Sequence, residues 1–436
     1  MIEIQMAKRS AVQTVSRERR LLAVVGNTQV GLWVVRSLGG AGLSVYAVCT
    51  SPHGLSAHSR YAAGAWVINV GPNDPAWIEQ IEALARELNV GSILTIAESY
   101  HAALIRERER FEPDIHVFSP PAECFWKVSD KDYMHRLCEQ LGVPVARGTT
   151  LDAVMADPGR CGLRLPLVLR TRNYNDPEAP NAPWMGAAYA LDKGQFENLC
   201  ETVRDRASNI LVHEYHTGIT RSVQVLMHKG QPPMTGEYIG EHHMPLAGGV
   251  TVQRVSSHDP RLHRDAIRLL QAIRWEGAAG VQFHYQPRTK RYIFVEVNPT
   301  FLGGLPTVIK AGFDVPFLLW QNHFEPDRIR EARYHLRVRT RVLGGDINWL
   351  GSIIRGDAPP PGQGRMGRLS AALRFLWNCG PWTGDDVFSL DDIKPFYIDV
   401  MQMGRKARQR AWQFHASRKF MRTAECEEKH KKELSP

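Results

Sequence analysis

Short apolar runs alternate with amphipathic stretches along the first part of the chain. The apolar runs predict buried strands, and the amphipathic stretch from Asp74 to Leu88 predicts a helix that packs on one side. The predicted strands cover residues 21–26, 44–49, 91–98 and 115–119. Strands that alternate with helices indicate a parallel, doubly wound α/β sheet. A double proline at Pro120 and Pro121 predicts the first domain boundary.

A second α/β region follows, and its later half has the pattern of antiparallel hairpins. Asp130 is a favourable N-cap for a helix that Gly142 ends, and Lys229 with Gly230 predicts a hairpin turn. The predicted elements are strands at 165–172 and 209–215, helices at 192–206 and 259–275, and hairpins over 222–240 and 281–299. Beyond them, a linker rich in proline and glycine over 357–364 leads into a mainly helical segment over 365–436.

The charge of the chain is concentrated at one end. The 436 residues include 54 Lys and Arg against 45 Asp and Glu, a formal net charge of +9, and the length suggests two to three domains. Residues 401–436 hold ten Lys and Arg against four Glu, so the rest of the chain is nearly balanced. A nucleic-acid surface along the whole chain is therefore not expected. We predict a solvated tail, with an arm that binds anionic polymers or membranes as the alternative.

Several common classes of protein and site are excluded by absent patterns. The seven cysteines form no C-x-x-C pair, which argues against a disulfide framework or a zinc site. No apolar run approaches the roughly 20 residues of a membrane-spanning helix. The N-terminus lacks the apolar core of a secretory signal, so we predict a cytoplasmic protein. Gly26 and Gly31 have P-loop spacing, but Leu32 and Trp33 stand where Lys and Ser or Thr are required.

The strongest chemical signal lies on the hairpin VQFHYQPRTKRYIFVEVNP. Glu296 and Asn298 are two residues apart and project from the same side of one strand, and Gln282 can lie opposite them across the turn. Three oxygen donors on one sheet face suit a hard cation such as Mg²⁺. The alternative is a polar strand face in solvent, which the apolar neighbours of Glu296 make hard to maintain. The hairpin therefore predicts a magnesium site.

At these residues the chain resembles the ATP-grasp ligases, in the branch of the synthetase domains of carbamoyl-phosphate synthase. The resemblance covers residues 20–325 and rests on SDKDYMHRLCEQLGVPVARG, ILVHEYHTG, GGVTVQRV and VEVNPTFLGGLPTVIKAGFDVPFLLW, in this order and spacing. It implies an α/β protein with these parts: a basic N-terminal segment over 1–20, a doubly wound pre-ATP-grasp domain over 21–119, an ATP-grasp domain over 120–330, and a mainly helical C-terminal extension with a basic tail over 331–436.

The family pattern also implies roles for single residues of this sequence. The residues that match the phosphate contacts of relatives are Lys131 and Arg170. Those at the hinge, where backbone groups meet adenine, are His213, Glu214 and Tyr215. Those that match the metal ligands are Gln282, Glu296 and Asn298, and of these Glu296 and Asn298 also lie at the reacting centre. The implied cofactors are ATP and Mg²⁺, with Mn²⁺ as a possible substitute.

The activity that the resemblance implies is carboxylate–amine ligation. The γ-phosphate of ATP would pass to a carboxylate oxygen, and an amine would displace phosphate from the resulting acyl phosphate. The expected partners are therefore a small-molecule or amino-acid carboxylate and an amine, and a homodimer is left open. Glu98, at the end of a predicted strand, could orient a substrate or serve only as a cap or ion-pair partner.

The chain departs from the family pattern at three places. Thr300 stands where many relatives have an arginine that meets the transferred phosphate, and Thr220 lies where an acidic residue usually holds the ribose. The lid segment over 183–188 has a single glycine. Four side chains could replace the missing cation: Arg254, which we take as the catalytic candidate, Arg172, His242 and His243, although for the two histidines a solvated loop is the more expected environment. A catalytically weak ATP-binding scaffold or sensor is the alternative function.

Overall fold

The computed structural model describes residues 2–3, 15–157, 162–174, 187–246, 248–328, 333–406 and 408–409. Within these ranges the chain forms three β-sheets flanked by helices. None of the helices in these ranges is long and apolar enough to cross a membrane.

The first sheet is the doubly wound sheet that the apolar runs predict. Its strands are β1 Ile2–Glu3, β2 Arg20–Val24, β3 Ser44–Cys49, β4 Ala62–Val67, β5 Ser92–Thr95 and β6 His116–Phe118. Their order is β1-β4-β3-β2-β5-β6; β2 to β6 run parallel and β1 is antiparallel to β4. The accompanying helices are α1 Gln29–Gly40, α2 Pro75–Glu87 and α3 Glu98–Arg106.

Both faces of this sheet are covered by helices. Leu21 and Ala23 belong to the apolar cluster that contains α1, whereas Leu22 and Val24 belong to the cluster of α2 and α3. Because successive strand residues point to opposite faces, this division places a helical layer on each side. The prediction of an N-terminal doubly wound α/β fold is confirmed.

A small antiparallel sheet follows after two helices, α4 Ala122–Ser129 and α5 Lys131–Leu141. Its strands, in the order β7-β10-β8-β9, are β7 Gly148–Thr150, β8 Leu167–Thr171, β9 Ala188–Ala190 and β10 Ile210–Glu214. Two helices cover it, α6 Leu151–Ala156 and α7 Lys193–Thr202. Asp130 caps α5 as predicted, accepting hydrogen bonds from the backbone N–H groups of Asp132 and Tyr133, and Gly142 ends the helix in the left-handed conformation.

The third sheet has seven strands and carries the hairpins. In the order β15-β14-β11-β12-β13-β16-β17, its strands are β11 Ile219–His228, β12 Gln231–Met244, β13 Val250–Ser257, β14 Gly277–Gln286, β15 Arg291–Asn298, β16 Arg339–Arg341 and β17 Thr383–Asp385. Its helices are α8 Pro260–Ala272, α9 Leu305–Lys310 and α10 Val315–Phe324. The predicted turn at Lys229 and Gly230 is present; both residues have positive φ, as a tight hairpin turn requires.

The first and third sheets share one core. The buried cluster that contains Leu38 of α1 also contains Val308 of α9 and Trp320 of α10. The first sheet is therefore held against the largest sheet by apolar packing.

The described C-terminal part of the chain is mainly helical, as predicted, and it also contributes two short strands to the third sheet. It contains α11 Leu343–Arg355, α12 Arg368–Trp377 and a helix over 394–406, here α13, but it also supplies β16 and β17 to the third sheet. The predicted boundary at residue 330 therefore lies inside a unit that shares one sheet. Three-residue strands carry too little periodicity to be detected from sequence.

A loop after β17 fastens the C-terminal part to α1. The Arg36 guanidinium, which is buried, donates a hydrogen bond from Nε to Asp392 Oδ2 over 2.9 Å. Trp33 Nε1 donates to the backbone oxygen of Asp386 over 2.6 Å, and Ser59 Oγ donates to Asp392 over 2.7 Å. A paired charge in the interior indicates that this contact is part of the fold and not a surface association.

Candidate functional site

A cleft of about 580 Å³ lies between the small antiparallel sheet and the seven-stranded sheet. Strands β8 and β10 line one side, and β12, β14 and β15 line the other. Pro360 and Gln363, which belong to the predicted linker, also line it, and Gln363 Nε2 donates to the Gly218 oxygen over 3.4 Å. The linker is therefore part of the cleft wall.

The three predicted oxygen donors lie together in this cleft. Gln282 on β14 pairs directly with Glu296 on β15, so that both side chains emerge on the same face of the sheet. Asn298 follows on that face, with its Nδ2 3.5 Å from Glu296 Oε1. Between them, Val281 and Val297 are buried on the opposite face. One carboxylate and two amides thus converge at the floor of the cleft.

The Arg170 guanidinium lies beside this group and is fixed by neutral partners. Its Nη2 donates to the Val295 oxygen and contacts His135 Nε2, each over 2.9 Å. Its Nε is buried without a hydrogen-bond partner in the described part of the chain. Burial lowers the pKa of Arg170, and the Glu296 charge opposes the shift. A cation with an unused donor and no carboxylate bonded to it is suited to bind an anion.

Lys131 lies next to the cleft and not in its wall. Its Nζ lies 3.9 Å from the centre of the Tyr174 ring, and its side chain is buried. Burial lowers the pKa of Lys131, while the charge of Glu296 raises it and that of Arg170 lowers it further. Lys131 and Arg170, the two predicted phosphate contacts, therefore both lie near Glu296, which is one of the three oxygen donors.

Two stacked imidazoles support Arg170 from behind. The rings of His135 and His213 are 4.2 Å apart and nearly parallel. Burial lowers the pKa of His135 to about 3, with the nearby Arg170 charge adding to the shift, and burial lowers the pKa of His213 well below its ordinary value. Gly148 gives the stack its space, because a Cβ there would come within 1.8 Å of the His213 ring. Neither histidine adds positive charge to the cleft at neutral pH.

The predicted hinge residues form the other end of the cleft. His213, Glu214 and Tyr215 all line it, at the end of β10. The Glu214 carboxylate accepts a hydrogen bond from the Arg164 N–H over 3.0 Å and faces Arg147. The Tyr215 ring meets Tyr189 edge to face, 5.0 Å away. Aromatic rings therefore line the cleft at the hinge, whereas charged and amide side chains line it at Glu296.

The structure does not bring Arg254, the predicted catalytic cation, to the oxygen donors. Its side chain is buried, and Nη1 donates to Asp386 Oδ2 over 2.7 Å while Nη2 donates to the Thr251 oxygen over 2.9 Å. Its charge is balanced by a buried carboxylate on the loop that follows β17. No local pattern indicates this partner, because Asp386 lies more than 130 residues further along the chain.

The other three candidates to replace the missing arginine also have partners. Arg172 forms an ion pair with Asp130, with Nε 2.9 Å from Oδ1. His242 is buried on β12, where its Nδ1 lies 2.6 Å from Asp346 Oδ1 and its ring stacks on Trp349. His243 lines the cleft and contacts Thr220 Oγ1 over 3.2 Å. The expectation of a solvated loop for both histidines was wrong, because β12 continues through them.

The departures from the family pattern are visible in the described residues. Thr300 is 9% exposed, and its Oγ1 has no hydrogen-bond partner there. It lines a second cavity of about 410 Å³, between the first and third sheets, and does not line the cleft. Arg221, next to Thr220, is buried against Glu237 and Asp259. The predicted lid lies mostly outside the described residues.

Glu98 begins α3 instead of ending a strand. Its Oε1 accepts a hydrogen bond from Ser129 Oγ over 2.9 Å, and its charge raises the pKa of Lys131. The apolar run before it ends as strand at Thr95, because the carboxylate at the first turn favours helix. The negative charge of Glu98 therefore helps to stabilise the protonated form of Lys131.

Comparison with known proteins supports this description of the fold. The sequence model of the family described as carbamoyl-phosphate synthase L chain, ATP binding domain, matches residues 253–302, the stretch that contains Gln282, Glu296 and Asn298. The chain has the ATP-grasp fold. No curated protein sequence significantly matches the chain.

Solved structures with this ATP-grasp fold are similar to the chain at low sequence identity. A biotin carboxylase from Campylobacter jejuni, solved as a complex with a β,γ-ATP ligand, is 16% identical, with 74% of each chain covered and a TM-score of 0.59. An N5-carboxyaminoimidazole synthetase from Staphylococcus aureus, complexed with ADP, is 15% identical over 69% of this chain and 76% of that chain, with a TM-score of 0.53. An L-amino acid ligase from Bacillus licheniformis is 13% identical over 70% and 74%, with a TM-score of 0.52.

Some cleft residues were not among the predicted site residues. His135, Tyr189, His284 and Gln363 all line the cleft. His284 is two residues beyond Gln282 on the same strand face, so the period of two could have identified it. Gln363 and Tyr189 come from distant loops and a short strand, and no local pattern marks them.

Proposed function

We propose that the chain is an ATP- and Mg²⁺-dependent carboxylate–amine ligase that works through an acyl phosphate. One observation carries the proposal: a single cleft is lined both by the charged and amide side chains of Glu296, Asn298 and Arg170 and by the aromatic residues at the hinge. A nucleotide has the same division between its phosphates and its base. The ATP and ADP complexes of the similar structures support this assignment.

The residues at the charged end fit a divalent cation. Gln282, Glu296 and Asn298 present oxygen donors on one face, and Mg²⁺ prefers such ligands together with phosphate oxygens. Glu296 would supply the one formal charge among the three. The ion would neutralise phosphate charge and polarise the transferred group. Arg170 lies close enough to Glu296 for their charges to interact. Its positive charge would repel a free metal cation at the three oxygen donors. We therefore expect the metal to bind together with an anionic nucleotide.

The protein's own residues hold and orient the phosphates. Arg170 lines the cleft and brings a positive charge to it, while the Val295 oxygen keeps the guanidinium plane fixed. Lys131 adds a second positive charge from behind. Phosphoryl transfer needs little covalent participation by the protein, so positioning and charge neutralisation carry most of the rate increase.

The proposed reaction transfers the γ-phosphoryl group from ATP to a carboxylate oxygen and releases ADP. The lone pair of an amine nitrogen then attacks the acyl carbon, the bond to phosphate breaks, and the nitrogen loses a proton. Amide, ADP and phosphate are the products. Arg170 is the proposed cation closest to the phosphates, since Arg254 does not line the cleft.

A direct test uses hydroxylamine, which converts acyl phosphates into hydroxamates. Full-length protein, ATP and Mg²⁺ are combined with a panel of amino acids and hydroxy acids, and hydroxamate is measured together with ADP. The proposal predicts that at least one acid gives both products in equal amounts. ATP binding without hydroxamate or ADP for any acid would instead support the second candidate, an ATP-binding sensor, which the buried Thr300 at the usual arginine position favours.

A matched pair of variants assigns any activity to the cleft. Glu296→Gln keeps the shape of the side chain and removes its charge, whereas Glu201→Gln makes the same change on the exposed end of α7. We predict loss of hydroxamate in the first variant and wild-type rates in the second. Equal activity in both would remove Glu296 from the site.

A further inference from the structure

The outward side of α12 is apolar although solvent surrounds it. Leu369, Leu373, Leu376 and Trp377 are 74%, 59%, 65% and 64% exposed. The spacing of these residues places all four on one side of the helix, and Ala371 on the other side is buried against the body. We call these four side chains the α12 apolar face.

A second tryptophan extends the α12 apolar face. The rings of Trp377 and Trp382 are 4.6 Å apart, and Trp382 is 48% exposed. Single exposed apolar residues are ordinary, but a contiguous group that includes two tryptophans indicates a surface that binds something.

The segment that carries the α12 apolar face has basic residues and no acidic ones. Between Asp357 and Asp385 the sequence contains three arginines, Arg365, Arg368 and Arg374. Arg374 is paired with Glu241 of β12 over 3.7 Å, so the charges that this segment offers to a partner are those of Arg365 and Arg368. A further basic stretch begins at Arg405, near the end of α13, whose Met403 sulfur lies against Gly344 at the start of α11.

We propose that the α12 apolar face docks onto an anionic lipid surface. Leucine and tryptophan side chains on one side of a short helix, with arginines beside them, are the composition of helices that lie in the membrane interface. The arginines of this segment complement acidic headgroups. This docking is independent of the proposed ligase activity.

A second copy of the chain is the less favoured occupant. A symmetric dimer would place the α12 apolar face against the same face of its partner. Arg365 and Arg368 of each copy would then meet in one interface without an acidic residue from the same segment. Repulsion between these like charges opposes such a dimer, whereas anionic headgroups would attract the same arginines.

The test is sedimentation of the full-length protein with vesicles of phosphatidylcholine alone or with phosphatidylglycerol added. We expect binding to the anionic vesicles, at least tenfold weaker binding to the neutral ones, and a clear loss between about 50 and 500 mM salt, because the charge contribution is screened. Tryptophan emission should shift to the blue as the rings leave water.

Substitutions decide which surface is responsible. The double variant Leu373→Glu/Trp377→Glu should lose at least tenfold in vesicle affinity, and Arg368→Glu should lose less but measurably. Leu191→Glu, a change at another exposed leucine, serves as the control and should bind like wild type. Retained nucleotide affinity and an unchanged circular dichroism spectrum show that each variant is folded.

Three results would overturn the proposal. The first is wild-type protein that does not sediment with anionic vesicles. The second is a double variant that binds them as well as wild type, which would place the contact in the basic tail. The third is a soluble dimer that the double variant dissociates, since that would make a second copy the occupant of the α12 apolar face.

Discussion

Arg170 provides the sharpest test of how the cleft holds phosphate. Its side chain lines the cleft, its Nη2 is held by the Val295 oxygen and His135, and its Nε has no hydrogen-bond partner in the described residues. A charge-assisted hydrogen bond contributes about 1.5–3 kcal/mol. Arg170→Ala should therefore weaken ATP binding by roughly 10- to 150-fold, because about 1.4 kcal/mol corresponds to a factor of ten.

The lysine variant separates charge from geometry. Arg170→Lys keeps the positive charge next to Glu296 but cannot contact Val295, His135 and a phosphate oxygen together, since an ammonium has no planar fork. We expect an affinity between those of wild type and Arg170→Ala. Arg136→Ala, which removes an exposed arginine from α5, is the control for a general change in charge.

Calorimetric titration with ATP in the presence of Mg²⁺ measures all four proteins. Equal affinities within a factor of two would show that Arg170 does not touch the nucleotide and would refute the reasoning from its free Nε. An equal loss in the Arg136→Ala control would point instead to the overall charge of the protein.

Three further predictions concern the fold. Asp392→Ala should destabilise the protein by about 3–5 kcal/mol, because the Arg36 charge would remain buried without its carboxylate; thermal unfolding measures this, and an unchanged midpoint would contradict it. His135 and His213 have folded pKa values below the unfolded value of about 6.5, so stability should fall as pH drops from there toward about 3, by up to 1.4 kcal/mol per pH unit for each; a flat profile in denaturant titrations would contradict the buried neutral rings. Thr300→Val should be neutral or stabilising by up to about 1 kcal/mol, because it removes a buried hydroxyl without a partner; a large loss of stability would reveal a missed partner.

Local signals predicted the framework of this fold well. The N-cap at Asp130, the hairpin turn at Lys229 and the opposition of Gln282 and Glu296 all depend on a few neighbouring residues, and all are present. Such features are readable because their partners are close along the chain. The boundaries shifted by a few residues, as with the strand that ends at Thr95 before α3 begins at Glu98.

Contacts between distant segments could not be predicted. Arg254 was predicted to replace the arginine that the chain lacks at Thr300, but Asp386 pairs with it across 132 residues. The position of Gln363 in the cleft wall could not be predicted either, because its segment has only the composition of a linker. The exposure of the α12 apolar face could not be predicted either, because leucines at helical spacing usually indicate a buried helix face.

The central claim is that the charged end of the cleft activates a carboxylate with ATP. The most direct measurement is ADP release with Mg²⁺, for the acid and amine pair that is most active in a panel, in wild type and in Glu296→Gln. The account predicts that release requires acid and amine together and falls roughly a thousandfold in the variant, because the one protein charge on the metal is lost. A folded Glu296→Gln protein that keeps its rate within tenfold, or ADP release that is indifferent to the acid, would contradict it.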